Sequence, residues 1–187
     1  RIKGVFTENE SAFMLANVLL TLEKLRKRKV VHRDLKLENL LMDSEGYLKV
    51  IDFGSSVCYK KPLNFVCGTK EYMSPEMLGG QFYDFKHDIW SLGILMCEFL
   101  MGNVPFDDDN DVKRLKMMKN NKIFISEKVS FSAKNLIKGL LNPNPKIRLD
   151  INQIKEHSFF EKTNFNQINK KKVPSPVLYL IKNKYFI

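Results

Sequence analysis

Residues 11–27, SAFMLANVLLTLEKLRK, are apolar around most of a helical circumference. The polar residues Asn17, Thr21, Lys24 and Arg28 recur at steps of three and four, which predicts a mostly buried helix with one narrow wet stripe. Just ahead, Thr7 and Glu10 have the spacing of a capping box, in which a hydroxyl and a carboxylate satisfy each other's backbone N–H groups. Two short apolar runs, NLLMD and YLKVID, flank Ser44-Glu45-Gly46 and predict a β-hairpin. Residues 52–76 keep no steady period. They predict a long loop, and loops of that length inside a compact domain are usually functional.

The stretch DIWSLGILMCEFLM, from Asp88 to Met101, is hydrophobic on every side, as a helix at the centre of a bundle is. Trp90 belongs to this expected core. Helical periodicity returns at 110–119, 132–141 and 151–157, the last capped by Asp150, with the breaker NPNP at 142–145. Beyond Phe160 the chain turns rich in lysine and asparagine, and Pro174-Ser175-Pro176 leads into a last apolar piece. That pattern predicts a tail wrapped on a surface, not a second domain.

Composition adds bounds to this pattern. With 187 residues, 44% of them hydrophobic and 28% charged, the chain has the make-up of one soluble domain with a real core. The formal charge of +10 comes largely from lysines at 24–29, 113–122 and 170–172, and such a balance permits attraction to nucleic acid or anionic membranes. No aromatic residues interleave these runs as a base-stacking surface requires, and no zinc-finger spacing occurs. They read as solvated faces, so neither nucleic acid nor a membrane span is expected. The most apolar run, Ile89 to Met101, is too short to cross a bilayer and contains Glu98. Three cysteines, Cys58, Cys67 and Cys97, form no paired spacing, which points to free thiols in a reducing compartment. The opening RIKGVFTENE reads as neither signal nor transit peptide. Together these features predict a cytoplasmic, intracellular protein. His87 and His157 have no second ligand spaced with them and read as packing or surface residues.

Four motifs then follow in a set order. HRDLKLEN at 32–39 fits H-R-D-L-x-x-x-N, Asp52-Phe53-Gly54 follows the hairpin, CGTKEYMSPE closes the long loop at Glu76, and DIWSLG opens the apolar helix. In this order they resemble the protein kinase family, specifically the C-terminal lobe of a serine/threonine kinase. The segment HSFFEKTNFNQINKKKVPSPV is similar to the place where AGC kinases, the cyclic-nucleotide-dependent kinases and their relatives, leave the catalytic core. Ser158 stands there in place of the usual proline, and the calcium/calmodulin-type kinases are the nearest competitor.

The resemblance implies an α+β fold, mostly α: a kinase-like C-terminal lobe with a small β-hairpin and the N-terminal lobe absent. It divides the chain into a kinase domain over 1–160 and a partial AGC-like tail over 161–187. It also implies roles. Asp34 accepts the proton of the substrate hydroxyl, Lys36 reaches the transferring phosphate, and Thr69 orders the acceptor beside Asp34. Asn39 and Asp52 hold the magnesium ions (Mg2+) that accompany ATP, with Leu41 and Ile51 as the floor beneath the adenine. Glu38 and Glu98 match positions where basophilic kinases hold arginines of a protein substrate, and both also match structural or ribose contacts. Glu76 and Arg148 form a buried ion pair, Asp88 braces the backbone of the catalytic loop, and Arg33 awaits a phosphate partner.

Two departures change the picture. The position two before Cys67, usually a phosphorylatable threonine, is Phe65; the expectation is that Phe65 orders the loop by packing. The sequence also carries no glycine-rich phosphate loop, no strand lysine with a paired helix glutamate, and no adenine-binding hinge. A kinase without that pair lacks part of its phosphate grip, so the chain alone is expected to bind nucleotide weakly and transfer phosphate negligibly. The competing reading is a non-catalytic, kinase-derived interaction module. It predicts exposed apolar surface where the smaller lobe would sit.

Overall fold

The computed structural model describes residues 5–182; residues 1–4 and the last five residues of the expected tail lie outside them. The first helix, α1 (Glu8–Lys27), opens on the capping box: Thr7 Oγ1 accepts from the Glu10 N–H at 3.3 Å, and the Glu10 carboxylate accepts from the Thr7 N–H at 2.8 Å. Glu8 and Glu10 in its first turn and Lys24, Arg26 and Lys27 in its last complement the helix dipole. Every residue from 11 to 20 is buried. The wet stripe is therefore shorter than its periodicity predicts. Asn17 is only 8% exposed and turns its amide back onto the Phe13 carbonyl at 2.7 Å, because later elements cover that side of the helix.

The hairpin forms as expected, with β2 (Leu40–Met42) antiparallel to β3 (Leu48–Val50) and Leu40 opposite Val50. Its turn is held by Asp43 Oδ1, which accepts from the Glu45 and Tyr47 N–H groups at 3.0 Å each. Gly46 supplies a φ of 81°. A second ribbon was not legible: β1 (Val30–Val31) pairs antiparallel with β4 (Val57–Cys58), inside the stretch expected to be loop. Two residues are too few to show a period.

The short α2 (Pro75–Leu78) starts with proline at its first turn and Ser74 as its cap. The central helix α3 (Lys86–Met101) is buried on every side except at Glu98 and its two ends. It packs against α1 and α5 (Phe131–Leu140). At Gly93 the approach is close enough that a Cβ would stand 2.7 Å from Leu141 Cδ2. Trp90 is fully buried, stacked on Phe106 with ring centroids 5.6 Å apart. Asn110 caps α4 (Asp111–Lys119), and Asp150 with Gln153 makes a second capping box on α6 (Ile151–Lys155).

Beyond Phe160 come α7 (Phe165–Asn169) and α8 (Leu178–Lys182). The tail lies against α1 and the hairpin turn: Tyr47 Oη donates to the Val173 carbonyl, Ser175 Oγ to the Gly46 carbonyl at 2.8 Å, and Lys171 Nζ to Asp43 and Glu45 at 2.6 Å. Ile168, Val177 and Leu180 are buried in the main core, so the tail completes that core as well as running over it. The three cysteines are free thiols, and among the described residues no helix is long and apolar enough to cross a membrane. The result is a mostly helical lobe with two small two-stranded ribbons.

Candidate active site

Those ribbons carry the HRDLKLEN stretch. After β1 the backbone turns sharply, and Arg33 sits at φ 71°, a conformation that costs a non-glycine residue about 1–3 kcal/mol. Asp88, in the first turn of α3, holds the turn. Its carboxylate accepts from the His32 N–H at 2.8 Å and the Arg33 N–H at 3.0 Å.

Asp34 follows, and four partners converge on it. Its Oδ1 accepts from Thr69 Oγ1 at 2.8 Å and from the Thr69 N–H at 3.0 Å. Its Oδ2 lies 3.1 Å from Lys36 Nζ and 3.3 Å from Asn39 Nδ2. Lys36 Nζ also donates to Thr69 Oγ1 at 2.8 Å, and Asn39 Nδ2 to the Asp34 carbonyl at 2.8 Å. Burial works to raise the Asp34 pKa, but hydrogen bonds from Thr69 and Lys36 and the charge of Lys36 outweigh it, so the carboxyl is held below its ordinary range. Thr69 reaches Asp34 because Gly68, at φ 95°, lets the two strands of chain touch. A Cβ there would stand 2.4 Å from the Arg33 carbonyl oxygen.

Asp52 directly follows the hairpin, whose end is tied to Asn39 through the backbone. The Ile51 N–H donates to the Asn39 carbonyl at 2.9 Å, and Asp52 then takes φ 58°. Its carboxylate is exposed and accepts only the Gly54 N–H, at 3.1 Å, among the described residues. Asn39 commits its amide nitrogen to Asp34, which leaves its side-chain oxygen for another partner. Among the described residues no three His, Cys, Asp or Glu side chains could hold a metal by themselves. A carboxylate and a carboxamide oxygen are donor types that suit magnesium, which takes one or two protein oxygens and fills the rest of its shell with water and phosphate.

A family model described as the protein kinase domain matches residues 1–160. The chain belongs to the protein kinase family. It is 35% identical over 187 residues to Protein kinase C of Drosophila melanogaster, covering 95% of this chain and 25% of that protein. It is 36% identical over 180 residues to RAC-beta serine/threonine-protein kinase of Homo sapiens, with 92% and 37% covered. With Ribosomal protein S6 kinase alpha-3 of Homo sapiens it shares 34% over 180 residues, with 92% and 24% covered. The chain thus spans no more than 37% of the length of these curated relatives. They bear out its resemblance to the AGC group of serine/threonine kinases.

The remaining predicted residues of this kinase-family chain separate into two groups. Leu41, 54% exposed on β2, and the half-buried Ile51 lie on the hairpin. Glu38 is exposed, while Glu98 accepts a hydrogen bond from Tyr72 Oη at 2.5 Å. Burial raises the Tyr72 pKa, helped by Glu98 and then by the charge of Glu38; both glutamates therefore act on one phenol. The second group is structural. Arg148 and Glu76 make two parallel bonds of 2.7 and 2.9 Å, buried on both sides. Burial pushes the Glu76 pKa up, but Arg148 overrides it and holds the carboxyl below its usual range. Arg148 also donates to the Asn142 and Lys86 carbonyls, at 2.9 and 2.7 Å. His87 is buried against Ser74, and His157 bonds Asn135 at 2.9 Å, both packing roles as expected.

Phe65 is a correction. It does not pack: its side chain is 69% exposed. Its carbonyl is drawn inward instead, accepting from Tyr83 Oη at 2.6 Å, which turns the ring outward. Arg33 finds neutral partners, donating from Nε to the Ser55 carbonyl at 2.5 Å and from its Nη1 to Tyr83 Oη at 3.5 Å. Sequence reasoning missed Tyr83. Nothing local marks a tyrosine whose partners lie 18 and 50 positions away.

Proposed function

We propose that the chain carries the catalytic and metal-holding half of a serine/threonine protein kinase site, transferring the γ-phosphoryl group of ATP to hydroxyls of protein substrates. The observation that carries this reading is the set of bonds on Asp34. Its carboxylate is ionised at neutral pH and fixed at both oxygens, so it accepts the proton of a serine or threonine hydroxyl in one orientation. Thr69 shapes the place of that hydroxyl, and Lys36 brings a positive charge to where negative charge develops. Asn39 and Asp52 hold magnesium. Bound magnesium supplies charge neutralisation on the phosphates. Leu41 and Ile51 form an apolar floor for adenine, and Glu38 and Glu98 receive basic side chains of the substrate. Three free thiols suit an intracellular, reducing compartment.

Phosphate transfer on this reading requires a second, phosphate-gripping lobe, and the 187-residue chain alone transfers negligibly. In the full-length protein, Asp34→Asn lowers kcat on a serine peptide by about 100-fold or more, with the fold retained by circular dichroism. Unchanged turnover in Asp34→Asn overturns the assignment. Asp34-dependent transfer by the isolated chain overturns the need for a second lobe. The exposure of Leu41 and of Phe53, at 54% and 48%, favours one alternative, a lobe that binds partners without catalysis. Binding of substrate proteins with no Asp34-dependent transfer in the full-length protein supports it.

A further inference from the structure

The middle of the long loop has no buried side chains of its own to fix it. Residues 60–62 and 64–66 are exposed, Phe65 at 69%, and Leu63 is half-buried. What it has is Tyr83, just after α2. The Leu63 and Tyr83 backbones exchange both N–H···O bonds, at 2.8 and 2.7 Å. The Tyr83 ring is buried in a small separate cluster with Met73 and Met77, against which Leu63, Cys67 and Leu78 pack. Its hydroxyl then bonds the Phe65 carbonyl and takes the long bond from Arg33. Burial keeps this phenol protonated and hence a donor. One residue therefore grips the loop by backbone, ring and hydroxyl, three positions before Gly68 brings Thr69 to Asp34.

We propose that Tyr83 is the positioning residue of this site, and that its hydroxyl, bridging Arg33 to the Phe65 carbonyl, assembles the loop without phosphorylation of it. The assignment rests on the kinase reading only for its effect on turnover. Phe65 has no hydroxyl to receive a phosphate, and Arg33 is already directed at neutral oxygens. A neutral bridge of this kind is present whenever the chain is folded. Thr69 and Asp34 are thereby kept in register at all times.

The test is hydrogen–deuterium exchange on the full-length, phosphatase-treated protein, read beside peptide kinetics. Phosphatase treatment leaves exchange over residues 59–68 unchanged in the wild type. Tyr83→Phe, which removes only the hydroxyl, speeds exchange there by about threefold to tenfold and leaves α1 unchanged. It lowers kcat by a similar factor with KM for ATP unaltered. Phe65→Ala leaves exchange over 59–68 as in the wild type, because only the carbonyl of residue 65 is used. Wild-type exchange in Tyr83→Phe, faster exchange on dephosphorylation, or loosening by Phe65→Ala each overturns the proposal. Should Tyr83→Phe unfold, the Tyr83 hydroxyl proton of the wild type decides it by NMR: slow exchange with water supports the bond to the Phe65 carbonyl, and exchange as fast as a free tyrosine's overturns it. Faster exchange in Tyr83→Phe of a protein that transfers no phosphate sinks the kinase reading and leaves the bridge standing.

Discussion

The far end and the middle of one loop are held by opposite means. At its far end, Glu76 is locked to Arg148 by two buried, charge-assisted bonds, and Arg148 in turn bonds two carbonyls and lies 5.1 Å over Trp90. In its middle, residues 60–66 present their side chains largely to solvent and are held through backbone atoms by one neutral tyrosine. The contrast shows where the fold places its irreversible commitments. Charge is buried where the loop joins the core, and bonds through backbone atoms and a neutral hydroxyl hold its middle. Breaking a buried pair leaves a charge without a partner, whereas losing a bond at a wet loop lets water take over.

The largest expected effect comes from the charged end. Arg148→Ala strands Glu76 in the core and lowers unfolding stability by about 3–5 kcal/mol, measured as the urea midpoint at constant m-value. A loss below about 1 kcal/mol would mean that water or Lys86 replaces the guanidinium, and the contrast between the loop's end and its middle would collapse. Next comes the brace between core and site. Asp88→Ala orphans the buried His32 N–H and the half-exposed Arg33 N–H and costs about 2–3 kcal/mol. It also releases Arg33 from φ 71°, so exchange over 32–36 quickens more than over α1. Uniform quickening would place Asp88 in the general core and not in the brace.

The smallest effect is acid sensitivity, and it also belongs to the charged end. Burial pushes the His87 imidazole pKa below its ordinary value. The unfolded chain takes up that proton below about pH 6.5 while the folded chain does not. Stability present above pH 6.5 is therefore lost as the pH falls toward the lowered folded value, at no more than about 1.4 kcal/mol per pH unit. Glu76, also depressed, adds its loss only lower, below about pH 4.3. Urea midpoints between pH 7.5 and 5.5 should fall in the wild type and flatten in His87→Gln. An equal slope in both proteins would remove His87 from the account.

Much of this was legible in the sequence because it is local. Thr7 and Glu10, Asp150, the hairpin around Gly46 and the all-round apolar helix act within one turn or one strand pair, and each formed where its pattern placed it. Asp34, Lys36 and Asn39 fall within six residues of one another, so a single loop brings them together. The ribbon of β1 and β4 was invisible because two residues show no period. The covering of Asn17 depended on elements from farther along the chain, since α1 packs against β3 and α7.

The sequence by itself determined which polar side chains meet: the Asp34 carboxylate, the Lys36 ammonium and the Asn39 carboxamide, spaced so that short-range backbone geometry clusters them. Only the tertiary structure decided how the loop opposite them is held. Phe65 reads as a packing residue until Tyr83, distant in sequence, captures its carbonyl and turns the ring to solvent. A backbone oxygen is present at every position and carries no letter of its own. Which one is chosen is settled by the approach of a distant side chain.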